Sequence, residues 1–214
     1  MDNLNLKGIV ISSLLSEIST HPVEYIKTAR QNKKKISLIQ FINNPFKGFV
    51  SRLIGTLPMR GIYFNLTNYF NNKKYNPVVS GCLISLAQTS VDYPMEVTKT
   101  QRIINNYNWK NAFKSVNHSP SLGYHLIRNQ IFATSVSSFI SSNETKYLNA
   151  GIGALTGAAL SQPFDSLKTW FQSGNKTFPY KWKLRDYYRG GLYRCLSSLI
   201  GLNIGWVSFN YFKN

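Results

Sequence analysis

Three times along the chain a proline is followed two residues later by an acid and three residues after that by a lysine. The copies are Pro22-Val23-Glu24-Tyr25-Ile26-Lys27, Pro94-Met95-Glu96-Val97-Thr98-Lys99 and Pro163-Phe164-Asp165-Ser166-Leu167-Lys168. Their prolines lie about 70 residues apart, so the 214 residues read as three copies of one unit, approximately 1–73, 74–144 and 145–214. Each copy closes an apolar stretch, and a proline inside a helix frees a backbone carbonyl and bends the axis. Three bent helix ends, each carrying one acid and one base, can converge on a ring of charge that acts as a gate. Acid and base stand at i, i+3, so the spacing equally permits a pair within each helix.

The rest of the composition narrows the setting. With 25 Lys and Arg against 8 acids, the net charge of +17 calls for an anionic partner: nucleic acid, an anionic lipid surface or a small anionic solute. Only 15% of residues are charged, however, while 43% are hydrophobic and 14% aromatic. That balance favours a membrane protein over a soluble basic nucleic-acid binder, so no nucleic-acid partner is expected. The mean hydropathy of −0.20 and the absence of any 20-residue apolar run argue against helices facing lipid all round. A helix that lines a watery cavity needs only one apolar face. Cys82 and Cys195 have no metal-ligand or redox spacing, and no catalytic triad, metal site or phosphate-binding loop is legible. Neither enzyme activity nor a cofactor is therefore expected. The amino-terminal residues carry no signal-peptide core and no Arg-rich presequence, so any targeting information is expected to be internal.

Six helical stretches can be read, giving a single all-α domain over 1–214. The odd ones cover roughly 5–31, 76–103 and 147–173, and the even ones roughly 49–71, 120–141 and 190–212. The even stretches repeat too: Lys47-Gly48 with Arg52 matches Arg189-Gly190 with Arg194, and Arg60 with Phe64 matches Arg128 with Phe132. Gly81 with Ser85, and Gly153 with Gly157, have the small-xxx-small spacing that lets helix backbones approach in lipid. Links on the motif side hold most of the Lys and Arg, and an even number of spans puts both termini on the other side.

Taken together these residues resemble the mitochondrial carrier family, across essentially the whole chain. That family repeats Pro-x-acid-x-x-base once per unit, often with glutamine nine residues after the proline. Gln31 and Gln172 stand there in repeats one and three, and Ile103 in repeat two. Its even helices open on aromatic-base-glycine, seen as Phe46-Lys47-Gly48 and Tyr188-Arg189-Gly190. The resemblance implies an all-α membrane protein of the mitochondrial inner membrane, with both termini on the intermembrane-space side. Six tilted transmembrane helices would form three pseudo-threefold helix-loop-helix repeats around a central cavity, functional as a monomer. It further implies a matrix-side gate pairing Glu24 with Lys99, Glu96 with Lys168 and Asp165 with Lys27, braced by Gln31 and Gln172. Cardiolipin is expected at the helix starts Lys47-Gly48 and Arg189-Gly190.

Departures from the family pattern accompany the likeness. The repeats are short, with the loss in the motif-side links. The family's surface helix is expected in 37–43 and in 109–116, and hardly in 177–187. On the opposite face Asn68, Val136 and Asn210 occupy positions where the family places acids, so a second ionic gate is not expected.

For the cavity, the resemblance places solute contacts at Gly55, Gly123, Tyr124 and Ser197, helped by Glu17, Thr89 and Ala158. Arg52, Arg60, Arg128 and Arg194 lie within one or two turns of them. Four arginines against the single acid Glu17 form a positive funnel, and guanidinium forks match phosphate or carboxylate. Each arginine taken singly serves equally as a structural ion pair. The Gly123-Tyr124 pair resembles nucleotide-type carriers, with Tyr124 either stacking on a base or facing lipid or core. His21 and His125 read as hydrogen-bonded packing residues. The resulting expectation is a transporter of an anionic metabolite, foremost a nucleotide or other phosphorylated compound. The alternatives are a carboxylate carrier and a shortened homologue that inserts as a scaffold without transporting.

Overall fold

The computed structural model describes residues 6–33, 42–118, 120–140 and 146–211, and among them the chain is all-α. The long helices are α1 (Leu6–Gln31), α2 (Phe49–Asn72), α3 (Pro77–Ile104), α5 (Leu122–Ile140) and α9 (Gly191–Tyr211). The third odd stretch is split into α6 (Lys146–Leu160) and α7 (Gln162–Gln172). Short helices α4 (Trp109–Lys114) and α8 (Leu184–Tyr187) occupy two motif-side links. The surface helix expected at 37–43 falls mostly outside the described residues. The one at 109–116 is present as α4 followed by a 3-10 turn, Ser115–His118, and the 177–187 link retains a single turn.

Local chemistry sets the boundaries. Pro77 opens α3 behind Asn76, whose side chain accepts from the Val78 N–H at 2.9 Å, an N-cap followed by a proline that needs no donor. Asn108 caps α4 in the same way, accepting from the Asn111 N–H at 2.9 Å. The three motif prolines were expected to act alike, yet α1 and α3 run unbroken through Pro22 and Pro94. Only the third copy breaks, at Ser161, two residues ahead of Pro163.

Neighbour packing closes a ring in the order α1, α2, α3, α5, α6, α9 and back to α1. At the motif end α1, α3 and α7 also touch one another. Small residues permit the close approaches: a Cβ added at Gly81 would lie 2.9 Å from Thr134 Cα, and one at Gly153 3.0 Å from Val136 Cα. The spacing of small residues expected to let backbones meet therefore does so between α3 and α5 and between α5 and α6.

The interior of this ring is polar. Among the described residues, buried polar or charged side chains outnumber buried hydrophobic ones 36 to 14, the reverse of a water-soluble core. Large apolar side chains such as Leu15, Ile18, Ile54, Leu83, Leu86 and Leu196 are exposed on the outside. The expected six spans are nevertheless not visible as apolar segments: among the described residues, no helix is long and apolar enough to cross a membrane. Length is not what fails, since the 28 residues of α3 rise roughly 42 Å at 1.5 Å each. Polar residues on the inward faces pull the mean hydropathy down.

Candidate functional site

The three motif copies meet where α1, α3 and α7 converge, and their six charges form a closed, alternating ring. Around it run Lys27–Glu24 at 3.0 Å, Glu24–Lys99 at 3.3 Å and Lys99–Glu96 at 3.1 Å. The circuit continues with Glu96–Lys168 at 2.8 Å, Lys168–Asp165 at 3.4 Å and Asp165–Lys27 at 3.3 Å. The spacing left two pairings open, within a helix or between helices, and the structure contains both. Each base bridges the acid one turn back on its own helix and an acid on a neighbour. All six side chains are buried, and Asp165 has no exposed surface at all. Burying charges is tolerable only when each is paired and hydrogen-bonded, and a closed ring leaves no charge at a loose end.

Supports from outside the ring are unequal. Gln31 Nε2 donates to Asp165 Oδ2 at 2.7 Å, so the first glutamine braces a ring carboxylate. The second does not: Gln172 Oε1 accepts from Thr100 Oγ1 at 3.1 Å, and its carbonyl accepts from Gln101 Nε2 at 2.8 Å. Gln172 thus ties α7 to α3 below the ring instead of bracing a ring charge, because Gln101 and Thr100 stand opposite it. Gly48 and Gly190, both at positive φ, rest against α3 and α1 beside ring lysines. A Cβ at Gly48 would lie 3.3 Å from Lys99 Cγ, and one at Gly190 3.2 Å from the Lys27 carbonyl. Glycine there suits both the left-handed backbone and the close approach. Beside them, Lys47 offers its carbonyl to His21 Nε2 at 3.2 Å, and Arg189 Nη2 donates to Asp186 Oδ1 at 2.9 Å.

Directly above the ring lies a cavity of about 150 Å³. Of the sequence-predicted solute contacts, Glu17, Arg52, Arg60, Arg128, Arg194 and Ser197 line it. Gly55, Gly123 and Tyr124 do not. Gly55 is a packing glycine: a Cβ there would meet Met95 Cβ at 2.7 Å, where α2 crosses α3. Gly123 faces open space in the first turn of α5. The Tyr124 ring is stacked on Phe171 at 5.3 Å between centroids, which occupies the face expected for a base. Those three positions came from aligning the even helices by resemblance; in the structure Gly55 packs against α3, while Gly123 and Tyr124, in the first turn of α5, lie off the lumen. Of the odd-helix positions, Thr89 accepts from Asn129 Nδ2 at 2.9 Å, and Ala158 is buried.

The arginines are not a free positive funnel, because Arg52, Arg128 and Arg194 reach down onto the ring and Arg60 stands beside Glu17. Arg52 bonds Glu96, and also lies 3.4 Å from Glu17 and 3.3 Å from Asp92. Arg128 is 3.3 Å from Asp165 and 3.9 Å from Glu96. Arg194 is 3.8 Å from Asp165 and donates to Ser161 Oγ at 2.6 Å. Arg60 bonds Ser16 and stands 3.9 Å from Glu17. Glu17 therefore is not the single cavity acid. Asp92, which sequence reasoning missed, is buried between Arg52 and His125, whose Nε2 lies 3.5 Å away. Its signal was present: it stands two residues before Pro94, where the other copies have Thr20 and Ser161. Comparing only what the three copies share hides such a difference.

At the end away from the ring the cavity stops at Tyr63, Phe132 and Leu202, one from each of α2, α5 and α9. These pack on a buried apolar cluster that includes Phe70, Ile84 and Val136. Val136, one of the three positions where an opposite ionic gate would need an acid, is thus inside an apolar plug. The side chains of the other two, Asn68 and Asn210, lie outside the described residues.

No protein-family model matches the chain. It is 24% identical to a mitochondrial carrier-like protein of Acanthamoeba polyphaga mimivirus, over 87% of this chain and 86% of that protein. The likeness extends along most of both sequences rather than over one motif, and it points to a carrier-type protein.

Proposed function

We propose that this chain is a carrier that moves a small anion across a membrane by alternating exposure of its central cavity. The observation that carries the reading is the closed ring of six buried charges directly beneath an arginine-lined cavity. A ring of ion pairs joining three helices breaks as a unit when those helices part, so it is a natural closure for one end of a lumen. Arg52, Arg128 and Arg194 contact ring acids from the cavity side. A solute that takes up their donors draws them off Glu96 and Asp165, which couples occupancy to loosening of the ring.

A lipid-facing exterior is supported by the inverted distribution of side chains, polar within and apolar without. In this reading the ring faces the better-charged side, and both termini lie opposite. From the resemblance of its motifs to the mitochondrial carrier family, we propose the mitochondrial inner membrane as its setting and cardiolipin as the lipid at Gly48 and Gly190. The ring closes within one chain, so a monomer suffices. A small anion suits the cavity better than a nucleotide: Tyr124 lies off it, and about 150 Å³ is below the ~300–1,000 Å³ of pockets that enclose large ligands.

Uptake of labelled sulfate, phosphate and dicarboxylates into liposomes holding the purified chain tests the proposal. Flux is expected, abolished by Arg128→Ala and retained in Leu83→Ala on the outer surface. A folded preparation that moves none of these solutes overturns it. That outcome favours a second reading, a non-transporting membrane scaffold, which the apolar plug around Val136 supports. Release from membranes by carbonate alone would defeat both and favour a soluble basic protein.

A further inference from the structure

The charges enclosed around the cavity do not cancel. The ring is balanced, three acids against three lysines. Above it, among the described residues, stand Arg52, Arg60, Arg128 and Arg194 against Glu17 and Asp92, which leaves two positive charges over at a pH where imidazole is ordinarily neutral. Five of the chain's eight acids are already in this layer, and Asp186 is engaged in a distant link with Lys33 and Arg189. The four guanidiniums come from α2, α5 and α9, so the surplus borders the lumen from three sides.

We infer that the solute of this cavity is a compact dianion, and that Asp92 sets its valence by cancelling one of the three charges the arginines would otherwise leave over. The inference rests on reading the cavity as a solute site. Surplus charge out of water is costly unless a partner arrives, and a bound group of charge −2 removes the surplus where a monoanion leaves half of it. A trianion overshoots and must bring a counter-charge. The volume of about 150 Å³ fits a tetrahedral oxyanion or a short dicarboxylate. Arginine forks accept either, since both present paired oxygens. Wall positions Gln88, Asn129 and Ser198 add neutral polar contacts and do not alter the count. Asp92 is suited to setting the valence because it contacts Arg52 at 3.3 Å and lines the lumen without belonging to the ring. Its replacement by an isosteric amide changes the cavity's charge while leaving the six ring charges in place.

Anion binding to the purified full-length chain, read as a thermal shift titrated at constant ionic strength and pH 8, tests this separately from transport. Sulfate and succinate as dianions, chloride and acetate as monoanions, and citrate as a trianion are the probes. Sulfate or succinate is expected to bind about tenfold or more tighter than either monoanion, a difference of at least ~1.4 kcal/mol. Which of the two wins tells an oxyanion from a dicarboxylate. Asp92→Asn is expected to move the preference to citrate, and Arg60→Gln to erase the advantage of dianions over monoanions. Asp92→Glu should keep the wild-type order. Asp92→Asn hardly changes the cavity's size, so a switch in valence there cannot be a size effect. A wild-type chain indifferent to valence overturns the inference, as does Asp92→Asn retaining the wild-type order. The valence order without flux in liposomes leaves the inference standing and defeats the transport reading. Flux without a valence order does the opposite.

Discussion

Glu96 and Asp165 are the ring acids on which four cations each converge, and Glu96 holds the shorter contacts. Lys168 is 2.8 Å away, Lys99 3.1 Å and Arg128 3.9 Å, and Arg52 donates a hydrogen bond to it. Glu96→Gln keeps the shape and removes the charge. Lys168 then holds only Asp165 at 3.4 Å, while Lys99 retains Glu24 at 3.3 Å and Arg52 retains Glu17 and Asp92. Breaking a buried pair from one side costs about 3–5 kcal/mol, because the remaining charge stays out of water. For a chain of this length that corresponds to a fall of roughly 6–20 °C in the apparent midpoint. Lys168→Met should cost less, about 1.5–3 kcal/mol, the range for a lost charge-assisted hydrogen bond, since Glu96 keeps Lys99 and Arg52. The double substitution should show a coupling of about 0.5–3 kcal/mol between the two sites. Intrinsic tryptophan and tyrosine fluorescence during heating, in detergent, measures all four proteins. Lys168→Met more damaging than Glu96→Gln, or no coupling between them, would refute the ring as the element that holds α1, α3 and α7 together.

Four further expectations follow from other parts of the fold. Gly81→Ala pushes a methyl into the Thr134 backbone and should destabilise by about 1–3 kcal/mol, read in the same melts. Gly123→Ala meets nothing within 4 Å, so it should gain up to about 1 kcal/mol of helix propensity and leave anion binding unchanged. At the link before α9, the Lys183 N–H donates to Asp186 Oδ2 at 3.1 Å and holds that carboxyl below its usual range, helped by Lys33. A depressed pKa contributes stability that is present above the ordinary aspartate value and lost as pH falls through the depressed one. Protection of the amides in 183–189, taken relative to the unstructured rate at each pH, should therefore fall only below that ordinary range, and unchanged protection there in acid would contradict the pairing. Finally, Phe132→Ser with Leu202→Ser should open the apolar end of the cavity. A cysteine placed at Ser197, with Cys82 and Cys195 replaced, should then react faster with a membrane-impermeant thiol reagent, and an unchanged rate would place the barrier elsewhere.

What the chain determined without reference to its fold was the repeating part. The recurrence of proline, acid and lysine located the six ring residues, and the even-helix repeats located the four arginines. Gly48 and Gly190 were visible because aromatic-base-glycine opens the even helices of the family the chain resembles, a resemblance that implied lipid beside them, while their packing on α3 and α1 was not legible. Periodicity and local propensity act over a few residues, so they fix helix limits well and distances between helices hardly at all.

Only the packed helices decided who meets whom. Within-helix and between-helix pairs coexist because three helices converge closely enough for each lysine to reach two acids. Gln172 pairs with Thr100 and Gln101 of α3 in place of a ring charge, and Tyr124 stacks on Phe171 of α7. Asp92 has no counterpart in the other copies, so no repeat pattern could single it out. Its importance arises from standing 3.3 Å from Arg52 in a cavity where one charge changes the balance.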